Sequence, residues 1–151
     1  MLASNAGQLD ESPSRGIERQ RLFDEALKIA LENFDAGEKL CLIYSRFEGY
    51  RCLADVRFRR GELDEAERLC AATSEFLANT DSRVCQLWLG PLYIEVLLAV
   101  AERADPDGKT DEASAKRRLA AQLLDTYQEL VTKCQSPRFT REAERLAALL
   151  R

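Results

Sequence analysis

The sequence contains no histidine, and of its 151 residues only seven are glycine, four proline and one tryptophan. Without histidine, the commonest general base at neutral pH and the commonest nitrogen ligand for metals are both missing. The five cysteines (Cys41, Cys52, Cys70, Cys85 and Cys134) form no Cys-x-x-Cys pair, so neither a mixed nor an all-thiolate zinc site has its usual spacing. No Gly-x-x-x-x-Gly-Lys-Ser/Thr or Gly-x-Gly-x-x-Gly loop is present. Gly108-Lys109-Thr110 echoes the end of a phosphate loop but lacks the earlier glycine and a preceding strand. A di-iron bundle would need Glu-x-x-His pairs, which this composition forbids. The densest apolar stretch, Val84 to Ala101, is interrupted by Gln86, Gly90, Pro91 and Glu95, so no membrane span is expected. The opening residues carry Asp10 and Glu11 with no basic start and no apolar centre, unlike a secretory signal. Residues 1–14 are expected to form a flexible polar tail, and 15–151 a single domain.

What is present points to a soluble helical chain. Hydrophobic residues make up 46% and charged residues 32%, which excludes a disordered composition. The net charge of −4 offers no field for nucleic acid, and the basic runs Arg57-Arg59-Arg60 and Lys116-Arg117-Arg118 have acidic neighbours. The cysteines sit beside apolar residues in helical patterns, as buried reduced thiols do, and imply a cytoplasmic setting.

Between the few helix breakers, apolar residues recur at three- and four-residue spacing, and no segment alternates like a strand. The spacing predicts six helices. The first carries Phe23, Leu27, Ala30 and Phe34 and ends at Asp35-Ala36-Gly37; the second runs from about Glu38 to Arg60 and stops at Gly61. The third starts near Leu63, and the fourth is capped by Asp81 or Ser82 and continues to about Ala104. The fourth is apolar nearly all round, which places it centrally, and Pro91 should bend or break it near Gly90. After an Asp105-Pro106-Asp107-Gly108 turn, the fifth spans Thr110 to Cys134, and Ser136-Pro137 opens a sixth.

A short phrase occurs three times: Leu22-Phe23-Asp24-Glu25-Ala26, Gly61-Glu62-Leu63-Asp64-Glu65-Ala66 and Gly108-Lys109-Thr110-Asp111-Glu112-Ala113. In this pattern glycine ends one helix, an acidic pair occupies the first turn of the next, and alanine permits close packing. Repetition of such a unit marks a solenoid. With Tyr50, Leu53 and Ala54 before Gly61, and Ala66 after it, the stretch from Phe47 to Leu77 resembles the tetratricopeptide-repeat family. The likeness extends more loosely to Leu22–Phe34 and Leu97–Tyr127. The resemblance implies an all-α fold of antiparallel helical hairpins stacked as a short right-handed solenoid. A non-repeating six-helix bundle is the alternative arrangement.

The same resemblance implies a concave groove lined by the first helix of each pair. On the second helix Glu48, Arg51, Asp55 and Arg59 fall on that face with Phe58 beside them; on the fourth, Trp88, Pro91, Glu95 and Glu102 form the less apolar stripe. The groove set is therefore Glu48, Arg51, Asp55, Phe58, Arg59, Trp88 and Glu95. The charges read equally as solvated surface, and Trp88 reads more readily as core than as a binding residue. The functional expectation is a protein or peptide partner held without catalysis, cofactor, metal, nucleic acid or membrane. The alternative is a regulatory, self-assembling domain, with homodimers, of the kind found in bacterial signalling and transcription-regulator proteins.

Overall fold

The computed structural model describes residues 13–40, 42–105 and 110–150. Most of the expected tail, together with Cys41 and all but Asp105 of the expected Asp105-Pro106-Asp107-Gly108 turn, lies outside the described residues. The described chain is all helical, with no strand: α1 (Pro13–Leu40), α2 (Ile43–Arg59), α3 (Leu63–Ala78), α4 (Arg83–Ala104), α5 (Thr110–Cys134) and α6 (Pro137–Leu149).

The boundaries follow from local chemistry at most joints. Gly61 has φ +79°, the left-handed conformation that glycine adopts without penalty. Around it the Gly61 N–H donates to the Phe58 carbonyl (2.9 Å) and the Glu62 N–H to the Arg57 carbonyl (3.0 Å). That pair of bonds is a Schellman stop, and it satisfies carbonyls the helix end would otherwise orphan. Asp64 and Glu65 then occupy the first turn of α3, and Asp111 and Glu112 that of α5, where the helix dipole favours negative charge. Ser82 and Ser136 hold the cap positions of α4 and α6, with Pro137 opening α6, although neither serine makes a side-chain capping bond.

Three expectations need correction. α1 does not stop at Gly37: it runs on to Leu40, and α2 begins at Ile43 rather than near Glu38. Gly37 is buried where α1 crosses α2, and a Cβ there would lie 2.6 Å from the Ser45 carbonyl oxygen. Its small size serves a close helix approach rather than a helix end. Asp24 and Glu25 consequently lie deep inside α1, so the first phrase is not a helix start, unlike the other two. Of the bend or break expected at Pro91, the break does not occur, since α4 continues through it. By length and composition alone α4 is long and apolar enough to cross a bilayer, with mean hydropathy 1.7 over its apolar window.

In this fold α4 is the common wall of the core. It packs on α3 and α5, its neighbours in sequence, and also on α2 and α6. Ile94, Val96, Leu97 and Ala101 are fully enclosed, and half of its apolar window is buried. Ala66 and Ala113 of the repeated phrase are fully enclosed where helices meet, as is Ala54, whereas Ala26 of the first phrase is only half-buried. Contacts run between successive helices from α1 to α6, and α4 also meets the other even-numbered helices, α2 and α6. This leaves α2, α4 and α6 side by side along one face.

Candidate functional site

That face holds a cleft of about 320 Å³, and its walls come from the three even-numbered helices. α2 contributes Arg51, Asp55 and Arg59, spaced by four residues so that they share one side of the helix. α4 contributes Trp88, Pro91 and Glu95, again at three- and four-residue spacing, and α6 contributes Arg138, Phe139 and Glu142. Five of the seven expected groove residues therefore meet in one cavity. Glu48 stands outside the lining and acts on it through Arg51, which donates from Nε at 3.0 Å and from Nη2 at 2.5 Å. Phe58 lines a separate cavity of about 720 Å³, together with Leu98, Glu102 and the end of α6; Glu95 borders both.

Trp88 is 38% exposed, so it is not a core residue. Its ring is held from the α6 side: Phe139 meets it edge-on with ring centroids 5.7 Å apart, and the Arg138 guanidinium lies 4.4 Å from its centroid. Such contacts contribute about 0.5 to 1.5 kcal/mol each, enough to fix the ring's orientation while leaving one surface open.

The charges of the cleft are interlocked. Arg59 Nε donates to Asp55 at 2.9 Å, and Arg145 of α6 pairs with both Glu142 and Glu95, tying α6 to α4. The Arg51 hydrogen bonds hold the Glu48 carboxyl below its usual range, and Glu48 in turn raises Arg51. Arg145 likewise lowers Glu142 and is itself raised, chiefly by that hydrogen bond. Cys52, whose Sγ lies 3.5 Å from Glu48 Oε1, is pushed up by burial. These shifts all hold charged groups in their charged form, or a thiol in its neutral form. Among the described residues no cluster of Cys, Asp and Glu could hold a metal ion.

The contribution of α6 escaped the sequence reading, which drew the groove from the second and fourth helices alone. The signal was Arg138, Glu142 and Arg145, which share a polar stripe at spacings of four and three beside the apolar one. The thiols also divide further than expected. Cys70 and Cys85 are buried and Cys52 is half-buried, but Cys134, on the last turn of α5, is exposed; all four are free.

Compared with known proteins, the chain matches no family model, no curated protein and no solved structure.

Proposed function

We propose that this chain is a non-enzymatic interaction domain, built of tetratricopeptide-like hairpins, that holds a peptide or helix of a partner protein in the cleft between α2, α4 and α6. The observation that carries this reading is the convergence of Arg51, Asp55, Arg59, Trp88 and Glu95 on one cavity with a third wall from α6. The contact order supports it too. Pairing of successive helices, with the even-numbered ones also touching, is what stacked hairpins produce, whereas a closed bundle would bring α1 and α6 together.

In this mechanism the half-open Trp88 is the anchor, since a large rigid ring gains much contact area for little lost entropy. The paired charges around it set register and encounter rate more than affinity, because each exposed pair contributes only about 0 to 1 kcal/mol. The buried reduced thiols suit a cytoplasmic setting.

The test is affinity capture from the native host, followed by titration of the recovered partner against two variants. Arg51→Glu and Trp88→Ala are each expected to weaken binding at least tenfold with the helical signal retained. Loss of the Trp88 contacts to Arg138 and Phe139 costs about 1 to 2 kcal/mol of stability, so a melt must accompany the titration. Wild-type affinity in both variants would move the function off this cleft.

A further inference from the structure

Two features elsewhere on the molecule complement each other. The first is the outward face of α1, which packs principally on α2 alone. Leu22 and Ile29 stand two helical turns apart on that face and are each 54% exposed, with the small Ala26 and Ala36 on the same side. One edge of this apolar stripe carries Glu25 and Glu32, both exposed and without an ionic partner among the described residues. The other edge carries Arg19.

The second feature is the 720 Å³ cavity, which is walled by the end of α2 at Phe58, by α4 and α5, and by the end of α6. Its floor is apolar, from Phe58, Leu98, Ala121 and Leu149, and Leu149 is 54% exposed. The α5 edge is basic, with Arg117 and Arg118, while on the opposite side Glu102 and Glu95 stand with Arg145, which pairs with Glu95. Arg117 is already paired with Asp105, whereas Arg118 is exposed and has no ionic partner among the described residues. The volume falls within the roughly 300 to 1,000 Å³ of clefts that hold ligands.

We propose that the occupant of this cavity is α1 of a second copy of the chain. Leu22 and Ile29 enter the apolar floor, and Glu25 and Glu32 face Arg118. Charge complementarity on the α5 edge decides which side of the docked helix turns toward α5. Because the contact joins two different patches, two copies can exchange it reciprocally about a two-fold axis, or each copy can pass it on to the next in a ring or filament. The inference does not rest on the partner-binding cleft, which this cavity meets only at Glu95.

Sedimentation of the full chain across a wide concentration range tests it. The weight-average mass should rise above the 17.1 kDa of one chain as concentration increases. Two variants, Leu22→Asp combined with Ile29→Asp, and Arg118→Glu alone, should each stay monomeric; all three positions are exposed, so folding is retained, which circular dichroism verifies. Mixed in equal amounts, the two variants should form a 1:1 heterodimer and nothing larger, since each keeps one intact surface. Adding Glu25→Arg to Arg118→Glu should restore self-association. A wild-type chain that stays monomeric throughout would overturn the proposal. So would an Arg118→Glu chain that associates like wild type, since that outcome places any interface elsewhere. Arg51→Glu and Trp88→Ala should leave the mass profile unchanged, which separates this contact from the partner cleft.

Discussion

At the residue scale, burial sets the chemistry of two side chains that take no part in the cleft. Tyr127 is 2% exposed, and its hydroxyl finds no hydrogen-bond partner among the described residues. Burial, with Glu142 the next largest influence, pushes its pKa up to about 12. The Cys70 thiol, fully enclosed, is also pushed up to about 12 from an ordinary 9.0, again chiefly by burial. In both cases the native state retains a proton that the unfolded chain loses sooner, so their contribution is complete below the unfolded pKa and lost as pH rises. Denaturant midpoints should therefore fall from about pH 9 to pH 12. Tyr127→Phe should remove the part that begins near pH 10. At neutral pH the same substitution should leave the midpoint unchanged or raise it, because an unsatisfied buried hydroxyl costs about 1 to 3 kcal/mol. A clear drop at pH 7 would mean that the hydroxyl is bonded in solution.

At the element scale, the α1–α2 contact depends on two glycines, one from each helix. A Cβ on Gly49 would lie 2.8 Å from the Phe34 Cα and 3.0 Å from the Asn33 carbonyl oxygen, both backbone atoms that no rotamer change can move. Gly37 meets the Ser45 backbone as closely. Gly49→Ala gains about 0.8 to 1 kcal/mol in helix propensity, yet it forces the helix axes apart at an overpacking cost of about 1 to 3 kcal/mol. The net expectation is a loss of up to about 2 kcal/mol and a melting temperature lower by up to about 8 °C. A melting temperature that rises would show that α1 is free to shift. Both glycines are visible in the sequence, but only as breakers of local periodicity. The reason for their presence is the backbone of another helix, which spacing along one helix does not reveal.

At the scale of the whole molecule, stability should be graded along the helix order. α4 packs on four other helices, whereas α1 rests principally on α2, and the fully buried residues of α6 are Ala143 and Leu146. A fold whose units touch mainly their neighbours opens from its ends, because an end helix forfeits one interface and an inner helix several. Native-state hydrogen exchange should therefore show α4 most protected, α3 and α5 next, and α1 and α6 least. Equal protection in all six helices would indicate one cooperative unit instead. The cleft shares this gradient, since Arg138, Phe139 and Glu142 come from α6, and its third wall should loosen before the other two.

The sequence by itself determined the helical class, the number of helices and the ends of α3 to α6, because apolar spacing, the Gly61 stop and the acidic first turns act within a few residues. It also determined which residues share a side of α2 and which share a side of α4, since 3.6 residues per turn decides that locally. Only the tertiary structure decided that Arg51, Asp55, Arg59, Trp88 and Glu95 border one cavity while Phe58 lines another. It likewise decided that α6 stacks Arg138 and Phe139 on a half-exposed Trp88, and that α1 continues through Gly37. Each of these depends on which stripe of one helix meets which stripe of another. That choice is made by packing between residues distant in the chain, for which local periodicity carries no term.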